Sequence, residues 1–244
     1  MKTKGLLMIV FLIGMFFSAQ AADHVKGNGK LSTKKITIDD FNAIKFDGVI
    51  DFNYEQSEAT PHIEITVDEN LHPYVNIDIQ DRVLTVGFKG AKVDHFTKFI
   101  VKTNSKWLKE VKASGNANSN CLVQLKQKVE VGKLDLNVSG SANMVVNELK
   151  TDKLECSING SGTINLKAGN AEEADYNITT DGEIMAFGIA VPEVNCKITG
   201  KGSAQIHPTD NLKATIVGKG NIRYKGPTAV QQKVIGKGTV EEVK

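Results

Sequence analysis

Three lysines recur at a spacing that would line them up. Lys201, Lys219 and Lys237 each stand between two glycines, 18 residues apart. If successive repeats stack, their backbones lie roughly 5 Å apart. Like charges held that close repel unless solvent or an anion offsets them. One chemistry for such a ridge is capture of an acidic polysaccharide or a lipopolysaccharide phosphate. The plainer reading is that lysines at corners keep an edge soluble. A second recurrence is acidic: Glu110, Asp135, Glu155 and Asp175, with Glu173 and Glu193 two places along. Stacked carboxylates could ligate Ca²⁺, which takes six or more oxygens, or act as acid and base on a sugar. Lys133 and Lys153 flank that column and can neutralise it, which favours a solvated, salt-bridged face. The outward Asn137, Ser157 and Asn177, with Asn143 and Thr163, form a polar lattice suited to carbohydrate or simply to water.

Other chemistry finds little support. His24, His62, His72, His95 and His207 are scattered without metal-ligand spacing. No nucleophile elbow occurs, and no helix follows the GSG and GKG segments to make a phosphate loop. No catalytic residue, metal or cofactor is therefore assigned. The three cysteines make no zinc or redox motif. Cys156 and Cys196 occupy the same place two repeats apart, roughly 9–10 Å, which exceeds disulfide reach. With Cys121 they are expected to be buried thiols acting as small hydrophobes.

What positions all of these is a repeat. Its corner residue is Gly115, Gly140, Gly160, Thr180, Gly200, Gly218 and Gly236, at steps of 25, 20, 20, 20, 18 and 18 residues. Counted from the corner, apolar or small residues fall at minus six, minus four, minus two, plus two and plus four. One rung reads Leu154, Cys156, Ile158, Gly162 and Ile164; another reads Val194, Cys196, Ile198, Gly202 and Ala204. Period-two alternation is the mark of strands with one face buried. A period near 20 that survives substitution marks stacked coils. The predicted fold is all-β: a right-handed parallel β-solenoid of about seven Gly-cornered rungs. A β-sandwich of hairpins would share the alternation, but the columns match by residue type as well as polarity.

The organisation expected is a signal peptide at 1–21, a less regular β-rich capping region at 22–107, and solenoid repeats at 108–244. Lys2, Lys4, the apolar run from Leu6 to Phe17 and the Ala19-Gln20-Ala21 site make the signal peptide. The apolar run is short for a membrane span, and no cysteine beside the cleavage site offers a lipoprotein acceptor. Within 22–107, apolar alternation predicts strands around Ile44, Phe52, Ile65, Ile77, Val86 and Val101. It also predicts one helical turn in 68–74 and a tight turn at Asp81-Arg82. Gly27 and Gly48 hint at looser rungs there. This segment would cover the N-terminal strand edge, and Glu241, Glu242 and Lys244 would guard the other.

Losing Lys2 and Lys4 takes the formal charge from +2 to about 0, which gives a nucleic-acid role no support. The region after Asn195 is nonetheless basic.

The order of segments carries a resemblance. A signal peptide, the opening FNAIKFDGVIDFNYEQ, the block ITVDENLHPYVNIDIQDRVLTVGF and rungs such as INGSGTINL and ITGKGSAQI follow one another. Over about Val25 to Val240 the chain resembles the head-GIN-domain family of auto-transporter adhesins of Gram-negative bacteria. The resemblance implies a β-helical exported envelope protein, and it carries over no catalytic residues. No run of C-terminal barrel strands is seen, so self-anchoring as an auto-transporter is not expected. The function expected is a non-catalytic putative adhesin that binds an anionic glycan or another cell-surface component, with Lys201, Lys219 and Lys237 as contacts. It would sit in the periplasm, at the outer-membrane surface or outside the cell. No nucleic acid, cofactor or transmembrane anchor is implied, and the solenoid ends are the expected place for a homo-oligomer. Two alternatives stand beside it. One is a structural envelope protein without a specific ligand. The other is a polysaccharide-acting enzyme, which would need Asp175, Glu193 and Lys197 in one deep cleft.

Overall fold

The seven corner residues stand in one column. Gly115 pairs with Gly140, and the register continues through Gly160, Thr180, Gly200 and Gly218 to Gly236. Every ladder that joins these rungs is parallel, so the hairpin sandwich is excluded and the β-solenoid is the fold. Seven corners enclose about six turns. This is a computed structural model, and it describes residues 23–115 and 121–243. The expected signal peptide at 1–21 and the gatekeeper Lys244 lie outside the described residues.

Each turn consists of two strand stretches that meet at the corner. Along Leu122–Gly140 and Asn143–Gly160 the burial alternates residue by residue, with Leu134, Leu136, Leu154 and Cys156 fully inside. Parallel strands in register place like on like, so the apolar columns fuse into one core. The glycines two places after the corner have a packing role. A Cβ on Gly202 would collide with the Cγ2 methyl of Ile178, one rung below. Gly182 and Gly220 stand in the same relation to Ile158 and Ile198. The β-branched column of one rung therefore fills the space vacated by the glycine column of the next.

From Gly140 onward the corner takes positive φ. Gly200 has φ +119, and an added Cβ would lie 2.6 Å from the Thr180 carbonyl. Thr180 is the one non-glycine in the column. Its φ is 87, and its hydroxyl donates to the Gly160 carbonyl at 2.7 Å.

Most of the N-terminal segment is built into the same 17-stranded sheet, while Asp23–Lys26 and Ala91–His95 pair with each other as a separate two-stranded parallel sheet. Ala43–Asp47 and Asp51–Gln56 flank Gly48 (φ +98) and form a further rung. Ala43 pairs with Glu110, and Asp51 with Leu122. On the far side of this rung lie Val83–Phe88 and Ile100–Ser105, again parallel. Stacking order thus departs from chain order: a later segment lies below an earlier one. The outer edges are then taken by antiparallel strands. His62–Asp68 pairs with Ile100–Ser105 and with Leu31–Thr37, while Val75–Gln80 pairs with Val83–Phe88. The turn at Asp81 (φ 50) and Arg82 (φ 64) joins the last pair, as the sequence predicted. The expected helical turn is a 3-10 turn at Glu69–Tyr74 that buries Leu71.

Asp68, fully buried, ties this end together. Its carboxylate accepts from the Gly29 N–H (2.7 Å), the Thr97 N–H (2.7 Å) and the Thr97 hydroxyl (2.9 Å). Burial pushes its pKa up, but the Thr97 and Gly29 hydrogen bonds outweigh that and hold it below the usual value.

Candidate functional site: the outward columns of the coil

The outer face of the strands before the corner carries the charged columns. Glu110, Asp135, Glu155 and Asp175 do stand over one another, and the column continues through Asn195 and Lys213 to Gln231. Lysines two places away interleave with the acids. Lys133 Nζ lies 3.1 Å from both Asp135 and Glu155. Lys153 reaches Glu155 at 3.3 Å and Asp175 at 3.6 Å, and Lys112 reaches Glu110 at 2.7 Å. The Lys133 and Lys153 ammoniums beside Glu155 hold its carboxyl below the usual range, and Glu155 in turn raises both lysines. A second such cluster joins Glu130 to Lys150 (2.7 Å) and Lys128 (3.0 Å), which pulls Glu130 down to about 2. This is the salt-bridged face expected from the sequence. Among the described residues, no group of three or more His, Cys, Asp or Glu is arranged to hold a metal ion.

The arrangement reverses on the last three rungs. The N–H groups of Lys201, Lys219 and Lys237 donate to the corner carbonyls of the rungs below, Thr180, Gly200 and Gly218, at 2.7 to 2.9 Å. These bonds fix the three stems in one line, while the side chains are exposed. Lys197 and Lys233 face outward two rungs apart in one column, and Lys213 lies in the next. Among the described residues no carboxylate comes within 4.0 Å of any of these six ammoniums. As a cationic ridge the sequence singled out only the corner three. The others follow from the same counting, at minus three and minus five from Gly200, Gly218 and Gly236.

Asp175 and Glu193 line an open groove of about 570 Å³, which also includes Glu173, Asn195, Asn211 and Lys213. Lys197 is not among its walls. Asn195 Nδ2 donates to Asp175 at 3.2 Å and Asn211 Nδ2 to Glu193 at 2.7 Å. The trio that an enzyme would need is thus not assembled, and both acids are occupied by amides of the next rung.

The three thiols are free and buried. Cys156 and Cys196 lie above and below Tyr176, one rung each way, as the column count required. Burial raises all three pKa values, Cys121 to about 11 and Cys196 to about 12.

This geometry has relatives. The family described as putative auto-transporter adhesin, head GIN domain, matches residues 40–227. The chain belongs to that family. A crystal structure of a putative adhesin from Parabacteroides merdae is 92% identical, covers 91% of this chain and 100% of its own, and superposes with a TM-score of 0.79. A putative adhesin from Parabacteroides distasonis is 65% identical over 91% of this chain and 100% of its own, with a TM-score of 0.78. A third structure, named a putative lipid binding protein and also from Parabacteroides distasonis, is 29% identical with the same coverages and a TM-score of 0.71. A search of curated proteins finds no relative. No described helix is long and apolar enough to cross a membrane.

Proposed function

We propose that this chain is an exported, non-catalytic adhesin of the cell envelope that holds an anionic glycan along the basic face of its last three rungs. One observation carries the reading. In the acidic column of the earlier rungs Lys112, Lys133 and Lys153 are matched by carboxylates, whereas Lys201, Lys219 and Lys237 stand in line without one among the described residues. A line of unneutralised charges on a rigid backbone costs repulsion at every step. An acidic polymer laid along the column offsets that cost, because the rung spacing is comparable to one sugar residue of an extended chain. Lys197, Lys213 and Lys233 widen the strip on the adjoining face. Export is supported by the charged start and apolar run before Ala21, and the adhesin role by the family's description.

The test is retention on an immobilised acidic polysaccharide. Changing Lys201, Lys219 and Lys237 to Gln should lower the salt concentration that elutes the protein, since exposed charges are screened over about 10 Å at 0.1 M. The melting temperature should stay within about 3 °C, because exposed charges add little to stability. Unchanged elution would remove the ridge from the account.

A further inference from the structure

Trp107 is the sole tryptophan of the chain, and its backbone cannot relax inward. Ser105 and Leu108 on either side are fully buried, yet Trp107 is 47% exposed. Gln56 Nε2 donates to the Lys106 and Glu130 carbonyls, both at 3.0 Å, and Gln56 Oε1 accepts from the Glu130 N–H at 2.7 Å. The Ser105 hydroxyl donates to the Trp107 carbonyl at 3.1 Å. A large amphipathic ring presented on a pinned backbone loses little conformational freedom on binding, which is why tryptophan is enriched at recognition surfaces.

Beside the ring is an open groove of about 390 Å³, bounded by Trp107, Lys109, Val131, Gly132, Lys133 and Asp135. Its polar groups differ in state. Lys133 is shared between Asp135 and Glu155 at 3.1 Å each. Outside these walls, Lys106 lies over the indole at 5.4 Å from its centroid and is tied to Glu58 at 2.8 Å. Lys109 makes no ion pair among the described residues.

The geometry points to a sugar subsite that stacks a pyranose bearing a carboxylate on Trp107. The C–H face of the pyranose packs on the indole. Its carboxylate meets Lys109, the groove cation without a partner. Its hydroxyls donate to Asp135 and accept from Lys133. This subsite shares the glycan class with the reading above but none of its residues, so the two can fail separately.

The single tryptophan is its own reporter. The intact protein would be titrated with tetragalacturonate, and separately with the neutral cellotetraose, at low salt. Tetragalacturonate should shift the emission to the blue and saturate, and cellotetraose should give a much weaker response. Lys109→Gln should weaken the tetragalacturonate response about tenfold, the loss expected for one charge-assisted hydrogen bond, and Lys109→Arg should restore it. The variant with glutamine at 201, 219 and 237 should leave the response intact even if it no longer binds the polysaccharide column. No saturable shift, an equal response to cellotetraose, or an unaltered response in Lys109→Gln would each overturn the proposal.

Discussion

At the corner column, adding a larger, β-branched residue should do less harm than adding a methyl group. Gly218 has φ +127, a region that side chains scarcely enter, and a Cβ there would stand 2.5 Å from the Gly200 carbonyl. Gly218→Ala has two options. It can keep that conformation, at about 1–3 kcal/mol of strain, or rotate toward the φ of 87 that Thr180 adopts, at about 1–2 kcal/mol. Either route gives a loss of about 2 kcal/mol. Gly218→Thr faces the same backbone cost. Its hydroxyl, however, can repeat on the Gly200 carbonyl, which accepts from the Lys219 N–H, the 2.7 Å bond that Thr180 makes to Gly160. That hydrogen bond returns about 1 kcal/mol, so the net loss is about 1 kcal/mol. For a chain of this size the two variants should melt about 4–8 °C and about 2–4 °C below the parent. Urea unfolding followed by far-UV circular dichroism measures both, with the slope unchanged so that midpoints compare directly. Ordinary preferences predict the opposite order, because β-branched residues are the least tolerant of positive φ. If Gly218→Thr proves equal to or less stable than Gly218→Ala, the hydroxyl bridge is not what allows Thr180 at its corner.

Two further outcomes follow from buried groups. Asp68→Asn replaces an acceptor of three hydrogen bonds with a group that must turn an N–H toward one of the donors, and should cost about 2 kcal/mol in urea unfolding. Because the folded state holds the Asp68 pKa below 3.8, its contribution is present above that value and is lost as pH falls through the folded pKa; a wild-type acid titration steeper than that of Asp68→Asn checks the sign. The thiols titrate the other way. With Cys121 raised from 9.0 to about 11 and Cys196 to about 12, their contribution is full below pH 9 and declines as pH rises toward 12. A thiol reagent at pH 8 should find no reactive cysteine until the protein is unfolded, and then three; prompt labelling of the native protein would contradict their burial.

The columns were legible because a coil turns sequence distance into spatial adjacency. When one turn takes 20 residues, Glu155 must lie over Asp135 and Cys196 two levels above Cys156, whatever the surroundings. The interior, the acidic ladder and the corner lysines could all be counted off the chain. Counting cannot see how side chains reach across a face. That Lys133 bridges Asp135 and Glu155 while Lys197 and Lys213 reach no carboxylate among the described residues depends on which column receives acids and which receives amides. The sequence shows the composition of each column, and three-dimensional packing decides the pairing. The exposure of Trp107 is invisible to such counting for a related reason. It belongs to no column, and its exposure is set by Gln56, 51 residues earlier, through contacts with Lys106 and Glu130.

The N-terminal rung shows where a period search breaks down and what signal survives. Ala43–Asp47 stacks on Glu110–Gly115 with a sequence offset of 67, not 20. The chain between them leaves to build Val83–Phe88 and Ile100–Ser105 on the opposite side before returning. No self-alignment at constant spacing can find a rung displaced in this way. Its internal spacing is nonetheless that of the others. Counted from Gly48, Ile44 and Phe46 precede at minus four and minus two; Ile50, Phe52 and Tyr54 follow at plus two, plus four and plus six, and all five are buried. The physical constraint acts within a rung: a positive-φ corner between two alternating strands that share one interior. What lies above or below is set by which edge each later strand pairs with. Both edges of this rung are paired, so it is an inner layer of the coil, and the antiparallel strands close the outer edge.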